Sequence, residues 1–237
     1  MEKTDHGKST LAKVISGLEV PNKGQVFIDE INTLNKKDFL NIRKKIGMVF
    51  QNPENQILFN NVYDDIVFAM KNLKIENYEE KIEEALVKLD MEKYLHSESY
   101  NLSLGQKQRV TIAGVIACNP KYLVLDEPTT MIDPQGKEEI YKLINKLKEQ
   151  KYTIIYITNL IDEILMSDRV IVIEDGKIIN DFKKLDILNQ IEFLKEHGIK
   201  IPEMVELVYK LKNKGVDLSI KNWNKEEIIL QILNAFN

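Results

Sequence analysis

Hydrophobic positions along the chain fall into two periods. Three short runs are apolar almost throughout: Ile46 to Phe50 (IGMVF), Tyr122 to Leu125 (YLVL) and Thr153 to Thr158 (TIIYIT). Runs of this length, bounded by polar turns, predict strands buried on both faces, as in an open α/β sheet. Elsewhere apolar residues recur at helical spacing. Leu11, Val14, Ile15 and Leu18 predict a helix after Gly7-Lys8-Ser9-Thr10, and Val62, Ile66, Phe68, Ala69 and Leu73 predict another over Val62 to Leu73. Ile82, Ala85, Leu86 and Leu89 predict a third over Asn77 to Leu89, with Asn77 and Glu80 spaced as a capping box. A long semi-apolar helix follows Ser103, and Gln135 to Glu149 is an amphipathic helix opened by Asp133-Pro134.

Shorter signals fill the gaps. Lys23-Gly24-Gln25 predicts a turn before an edge strand over Val26 to Asp29, and Lys36 to Lys45 reads as a short helix or loop. Val170 to Glu174 and Lys177 to Phe182 flank Asp175-Gly176, a strong hairpin signal. From Leu185 the composition shifts to Lys/Glu-rich amphipathic helices over Ile191 to His197, Met204 to Lys214 and Glu226 to Phe236. A boundary is therefore expected near Asp181 to Leu185, with a helical extension beyond it that suits a dimer contact.

Composition narrows the setting. The 237 residues can bury a substantial core, and a net charge of -4 gives no reason to expect nucleic-acid binding. The single cysteine, Cys118, excludes an intrachain disulfide and, in an apolar helical pattern, reads as core. No apolar run approaches the roughly 18 to 20 residues that span a bilayer, and the charged start, Met1 to Thr10, is unlike a signal peptide.

Chemistry gathers at three places. Gly7-Lys8-Ser9-Thr10 before a helix looks like the end of a phosphate loop, where backbone N–H groups, a lysine and a hydroxyl hold phosphate and Mg²⁺. Asp126 and Glu127 end a buried strand; one carboxylate can hold Mg²⁺ and the next can polarise water. Ser103-x-x-Gln106 has the form of a capping box, yet a serine, a glycine N–H and a helix start together also make an anion site. Gln51 follows another buried strand and is either a cap or a group aimed into a site.

Together these pieces resemble the ATP-binding subunit of an ABC transporter. GKST resembles the end of the Walker A loop, YLVLDEP the Walker B strand and LSLGQ the LSGGQ signature. Gln51 falls at the Q-loop position, Met131-Ile132-Asp133 at the D-loop and Asn159 at the switch-histidine position. QNPENQ, NLSLGQKQRVTIAGVIACNPKYLVLDEPTTMIDP and IPEMVELVYKLKNKGVDL are similar to the energy-coupling factor (ECF) branch, the EcfA/CbiO-type ATPases of vitamin and cobalt or nickel importers.

The resemblance implies an α/β P-loop NTPase fold of the ABC ATPase kind over residues 1–184. It implies a mostly parallel sheet, a helical subdomain about residues 52–118 and the C-terminal extension over 185–237. It implies ATP and Mg²⁺: Gly7, Lys8, Ser9 and Thr10 bind nucleotide, while Ser9, Gln51 and Asp126 serve the metal. Glu127 would be the general base, with Gln51 and Asn159 beside it. Ser103, Leu104, Gly105 and Gln106, with Asp133 of the D-loop, would meet the nucleotide of an opposing subunit. Implied partners are a paralogous ATPase or a second copy, a membrane coupling subunit and a substrate-binding membrane protein, at the cytoplasmic face of the membrane; no nucleic acid is implied.

Departures from the family pattern all bear on catalysis. The N-terminal strands of the fold and their adenine-stacking aromatic are expected to be missing. Glu2 and Asp5 stand where the phosphate loop has glycines, Leu104 replaces a signature glycine and Asn159 replaces a histidine. A carboxylate beside a triphosphate is repulsive, and an amide does not titrate near neutral pH as imidazole does. Two readings stay open: a working transport ATPase, or an impaired partner subunit that keeps the fold and the signature half-site.

Overall fold

The computed structural model describes residues 7–218, 223 and 225–236. Glu2 and Asp5 lie outside the described residues. The chain groups into two compact units, Gly7–Ile157 and the residues from Thr158 onward.

The first unit opens with α1 (Lys8–Ile15), a hairpin of β1 (Phe27–Ile28) and β2 (Ile31–Asn32), and α2 (Phe39–Lys45). Then come β3 (Ile46–Val49), α3 (Val62–Asn72), α4 (Tyr78–Lys88), α5 (Leu104–Ala117), β4 (Tyr122–Asp126), α6 (Pro134–Glu149) and β5 (Thr153–Ile157). β3, β4 and β5 form a parallel sheet in that order, with Val49 beside Leu125 and Asp126 beside Ile157. Parallel pairing brings the C-terminal ends of β3 and β4 to one edge, where Gln51 and Glu127 leave the sheet.

β4 is buried on both faces, as its unbroken apolar run predicts. Leu123 and Leu125, with Val49, face a large core shared with α3, α4, α5 and α6. Val124 points the other way, against Ala12 of α1, Ile42 of α2, Ile46, Met48 and Ile28. Fully burying a side chain such as Leu123 or Leu125 contributes about 1.5–3 kcal/mol. At the opposite edge, Asp29 accepts from Lys45 and Lys121, each at 2.6 Å, and from the Tyr122 hydroxyl at 2.5 Å, pinning the β1–β2 hairpin.

Four local expectations need correction. β5 is not buried on both faces: Ile154 and Tyr156 pack on the large core, but Thr153 and Ile155 stay exposed. In α1 the buried position is Ala12, while Leu11 is exposed. α3 turns Val62, Ile66, Val67 and Met70 inward and leaves Phe68 out against Phe59. Asn77 has a left-handed φ of 54° and no side-chain cap bond, so the expected capping box does not form.

Cys118 ends α5 as expected of a core residue. Its Sγ lies 3.5 Å from the Gly114 carbonyl and burial pushes the thiol up to about 11, so it stays protonated and unreactive at neutral pH.

The second unit contains α7 (Ile161–Ile164), then the hairpin of β6 (Arg169–Glu174) and β7 (Lys177–Lys183) about Asp175 and Gly176, both with positive φ (47° and 72°). α8 (Ile191–Glu196), α9 (Glu203–Asn213) and α10 (Lys225–Phe236) follow. Val170, Val172 and Phe182 of the hairpin share one core with Ile187, Ile191, Leu194, Ile201 and Val205. The composition shift near Leu185 therefore lies inside one packed body. Among the described residues, no helix is long and apolar enough to cross a membrane.

Candidate nucleotide site

The site is assembled at the C-terminal edge of β3 and β4. β4 delivers Asp126, only 4% exposed. The Ser9 hydroxyl, in the first turn of α1, donates to Asp126 Oδ1 across 3.2 Å. Gly7 stands before that helix at φ 79°, a left-handed geometry open to a residue without Cβ, and it supplies no side-chain cap. The first-turn N–H groups therefore carry the positive end of the helix dipole beside Lys8.

Glu127 leaves the strand at φ 46°, and its N–H bonds Ile157 O at 3.0 Å, continuing the pairing with β5 for one more residue. A non-glycine residue in this region is uncommon and marks a strained, held position. Two side chains orient its carboxylate: Gln51 Nε2 donates to Glu127 Oε2 at 3.2 Å and Thr130 Oγ1 donates to the same oxygen at 3.1 Å. The expected metal and base positions are thus brought together with Ser9 and Gln51 in one place.

The signature turn lies at the head of α5. Its capping box does form: Gln106 N donates to Ser103 Oγ (3.3 Å) and Ser103 N donates to Gln106 Oε1 (2.9 Å). Ser103 is nevertheless exposed, so its hydroxyl hydrogen can still reach an outside acceptor. Leu104 turns partly into the large core. Behind the turn Gly105 and Gly136 touch: a Cβ on Gly105 would lie 3.5 Å from Gly136 Cα, and one on Gly136 would lie 2.5 Å from Ile132 Cγ2. Asp133, the D-loop residue, caps α6 by accepting from Gly136 N at 2.9 Å. Signature and D-loop are therefore neighbours. Asn159 belongs to the second unit, where it is exposed between β5 and α7.

Sequence reasoning missed several supports. Thr130 orients Glu127, and Tyr94 accepts from Gln106 Nε2 at 3.0 Å. Gln56 and Gln108 both bond the backbone at Phe50, and Lys107 pairs with Glu54 at 2.6 Å. The bonds of Gln108, Lys107 and Tyr94 join separate elements, while those of Thr130 and Gln56 close local turns, and no motif marks any of the five.

Comparison with known proteins gives the family. Residues 4–130 match the family model described as ABC transporter. The energy-coupling factor transporter ATP-binding protein EcfA1 of Caldanaerobacter subterraneus subsp. tengcongensis is 41% identical over 94% of this chain and 82% of its own. The structure of cbiO1 from Clostridium perfringens, part of the ABC transporter complex cbiONQ, superposes with a TM-score of 0.70 at 34% identity, covering 86% of this chain and 83% of its own. The ATP-binding cassette MJ0796, a dimer in a post-hydrolysis state bound to ADP and Pi, gives a TM-score of 0.66 at 30% identity over 76% and 81% of the two chains. The chain belongs to the ABC transporter family, among its EcfA1/CbiO-type ATP-binding subunits of energy-coupling factor transporters.

Proposed function

We propose that this chain is the ATP-hydrolysing subunit that energises an energy-coupling factor importer of vitamins or transition-metal ions. The observation that carries the reading is the pairing at the end of β4: Asp126 meets Ser9, and Glu127 meets Gln51. Two adjacent acids, each met from a separate segment, suit the division of labour that phosphoryl transfer needs.

Lys8, Thr10 and the N–H groups at the start of α1 bind the phosphates, with Gly7 shaping the turn. Ser9 and the buried Asp126 offer hard oxygen donors side by side, and the Gln51 amide oxygen is a third, a set that fits Mg²⁺ arriving with ATP. When bound, Mg²⁺ supplies neutralising charge at the phosphates. Glu127 polarises the attacking water. The water oxygen bonds to the γ-phosphorus, the bond to the β–γ bridging oxygen breaks, and the water proton is taken up at Glu127. Gln51 and Thr130 hold that carboxylate in place.

Ser103, Leu104, Gly105, Gln106 and Asp133 serve the nucleotide of an opposing ATPase chain, a paralogue or a second copy. The dimeric state of MJ0796 supports such pairing. Asn159 takes the switch position as a neutral hydrogen-bonding amide. The pair docks to a membrane coupling subunit at the cytoplasmic face, and a separate membrane protein selects the cargo; that cbiO1 is part of an ABC transporter complex supports membership of such an assembly. A second reading, a partner that offers only its signature half-site, is favoured by Asn159 and by the acidic residues Glu2 and Asp5 at sequence positions where the family has glycines. Mg²⁺-ATP binding to the full chain separates the two. The ATPase reading expects saturable binding that Lys8→Ala removes; absence of binding in the assembled transporter supports the second reading.

A further inference from the structure

We propose that Gln108, acting with Gln56, is a positioning residue for hydrolysis that aims Gln51 at Glu127; this rests on the ATPase reading above. Phe50 immediately precedes Gln51, beyond the last residue of β3. Both of its backbone polar groups are held by glutamine side chains. Its N–H donates to Gln56 Oε1 at 3.1 Å, and its carbonyl accepts from Gln108 Nε2 at 3.1 Å. Gln56 Nε2 also donates to Met48 O at 3.1 Å, so one amide bridges the strand and the residue after it. Gln51 then reaches Glu127 from a backbone fixed on both sides.

Gln108 comes from α5 and is fully buried. Its Oε1 has no hydrogen-bond partner. Turning the amide over would set Oε1 against the Phe50 carbonyl, two acceptors face to face, so the orientation is fixed. A buried amide with one atom unpaired weighs against folding, and a methionine of the same length would avoid that. What glutamine supplies and methionine lacks is the N–H bond to Phe50. Lys107, the neighbour on α5, pairs with Glu54 at 2.6 Å and ties the same helix to the same loop a second time. Ser103 and Gln106 begin the same helix, so the signature turn and the Phe50 backbone are tied to one element.

Steady-state ATP turnover of the full chain, co-purified with its transporter partners, tests this with Q51A, Q56M, Q108M and Q51A/Q108M. The expected result for Q108M is a roughly tenfold lower kcat, with the ATP KM unchanged within about twofold and the melting temperature not lowered. In the Q51A background Q108M should change kcat no further, since the group it aims is gone. An unchanged kcat in Q108M would overturn the proposal, as would an equal fall in both backgrounds, or a joint fall in kcat and melting temperature. If Q108M does not fold, Q56M, at a half-buried position on the same Phe50 backbone, carries the same expectations for kcat, for KM and for the Q51A background, though not for the melting temperature, because both atoms of its amide are bonded. An active wild type indifferent to Q51A, or a wild type without turnover, would overturn the underlying reading together with this inference.

Discussion

Gln51 and Glu127 stand 76 positions apart in sequence, and their side chains meet at 3.2 Å across the ends of two neighbouring parallel strands. The contact joins the loop after β3 to the candidate base after β4. It sets the first expectation: Q51A should lower ATP turnover at saturating Mg²⁺-ATP by roughly tenfold or more, because the amide orients a group that acts in the transition state. Steady-state kinetics checks it; an equal loss expressed only in KM would assign Gln51 to binding.

The second expectation concerns the glycine contact behind the signature turn. Alanine at Gly136 would gain up to ~1 kcal/mol of helix propensity. Its Cβ, however, would sit 2.5 Å from Ile132 Cγ2, and overpacking of this kind costs about 1–3 kcal/mol. The clash wins, so G136A should lower unfolding stability by roughly 1 kcal/mol. Urea denaturation would show this, and the I132A/G136A double variant should lose less than the sum of the single variants. Additive losses would contradict the contact.

A third expectation follows from Asp29. Hydrogen bonds from Lys121, then Lys45 and Tyr122, hold its carboxyl well below the usual carboxylate range. A group depressed in the folded state stabilises above its unfolded pKa of about 3.9, and that stability is lost as pH falls through the folded value. D29N should therefore be less stable than wild type at pH 7, with the gap narrowing below about pH 4. A gap that stays constant down to pH 3 would contradict it. High salt should shrink the gap at pH 7, because Asp29 is exposed.

The strands β3 and β4 were legible because an unbroken apolar run has few alternatives to a doubly covered sheet position. The Asp175-Gly176 hairpin was legible because both residues tolerate positive φ. The exposure of one face of β5 is not legible, because Ile155 is as apolar as Ile154 and only the surrounding fold decides which is covered. The phase of α3 is ambiguous in sequence because Phe68 and Val67 are adjacent apolar residues on different faces of one helix. β2 escaped notice because two residues carry no period. At the site, the motifs pointed to Ser9, Gln51, Asp126 and Glu127, but their meeting depends on strand order. Gln108 bonds a backbone 58 positions away, and nothing in its local sequence distinguishes it from any other polar helix residue; Thr130 and Gln56 bond close neighbours, but a threonine or glutamine in a loop has the same composition whether or not its side chain is engaged.

Glu127→Gln tests the central claim most directly, since it keeps the side chain's shape and its place beside Gln51 while removing the base. ATP turnover and ATP binding should be measured together on the full chain with its transporter partners. The expected result is a loss of turnover of about 10²-fold or more with ATP binding retained. Unchanged turnover in E127Q would contradict Glu127 as the general base and leave this chain as the partner that supplies only its signature half-site.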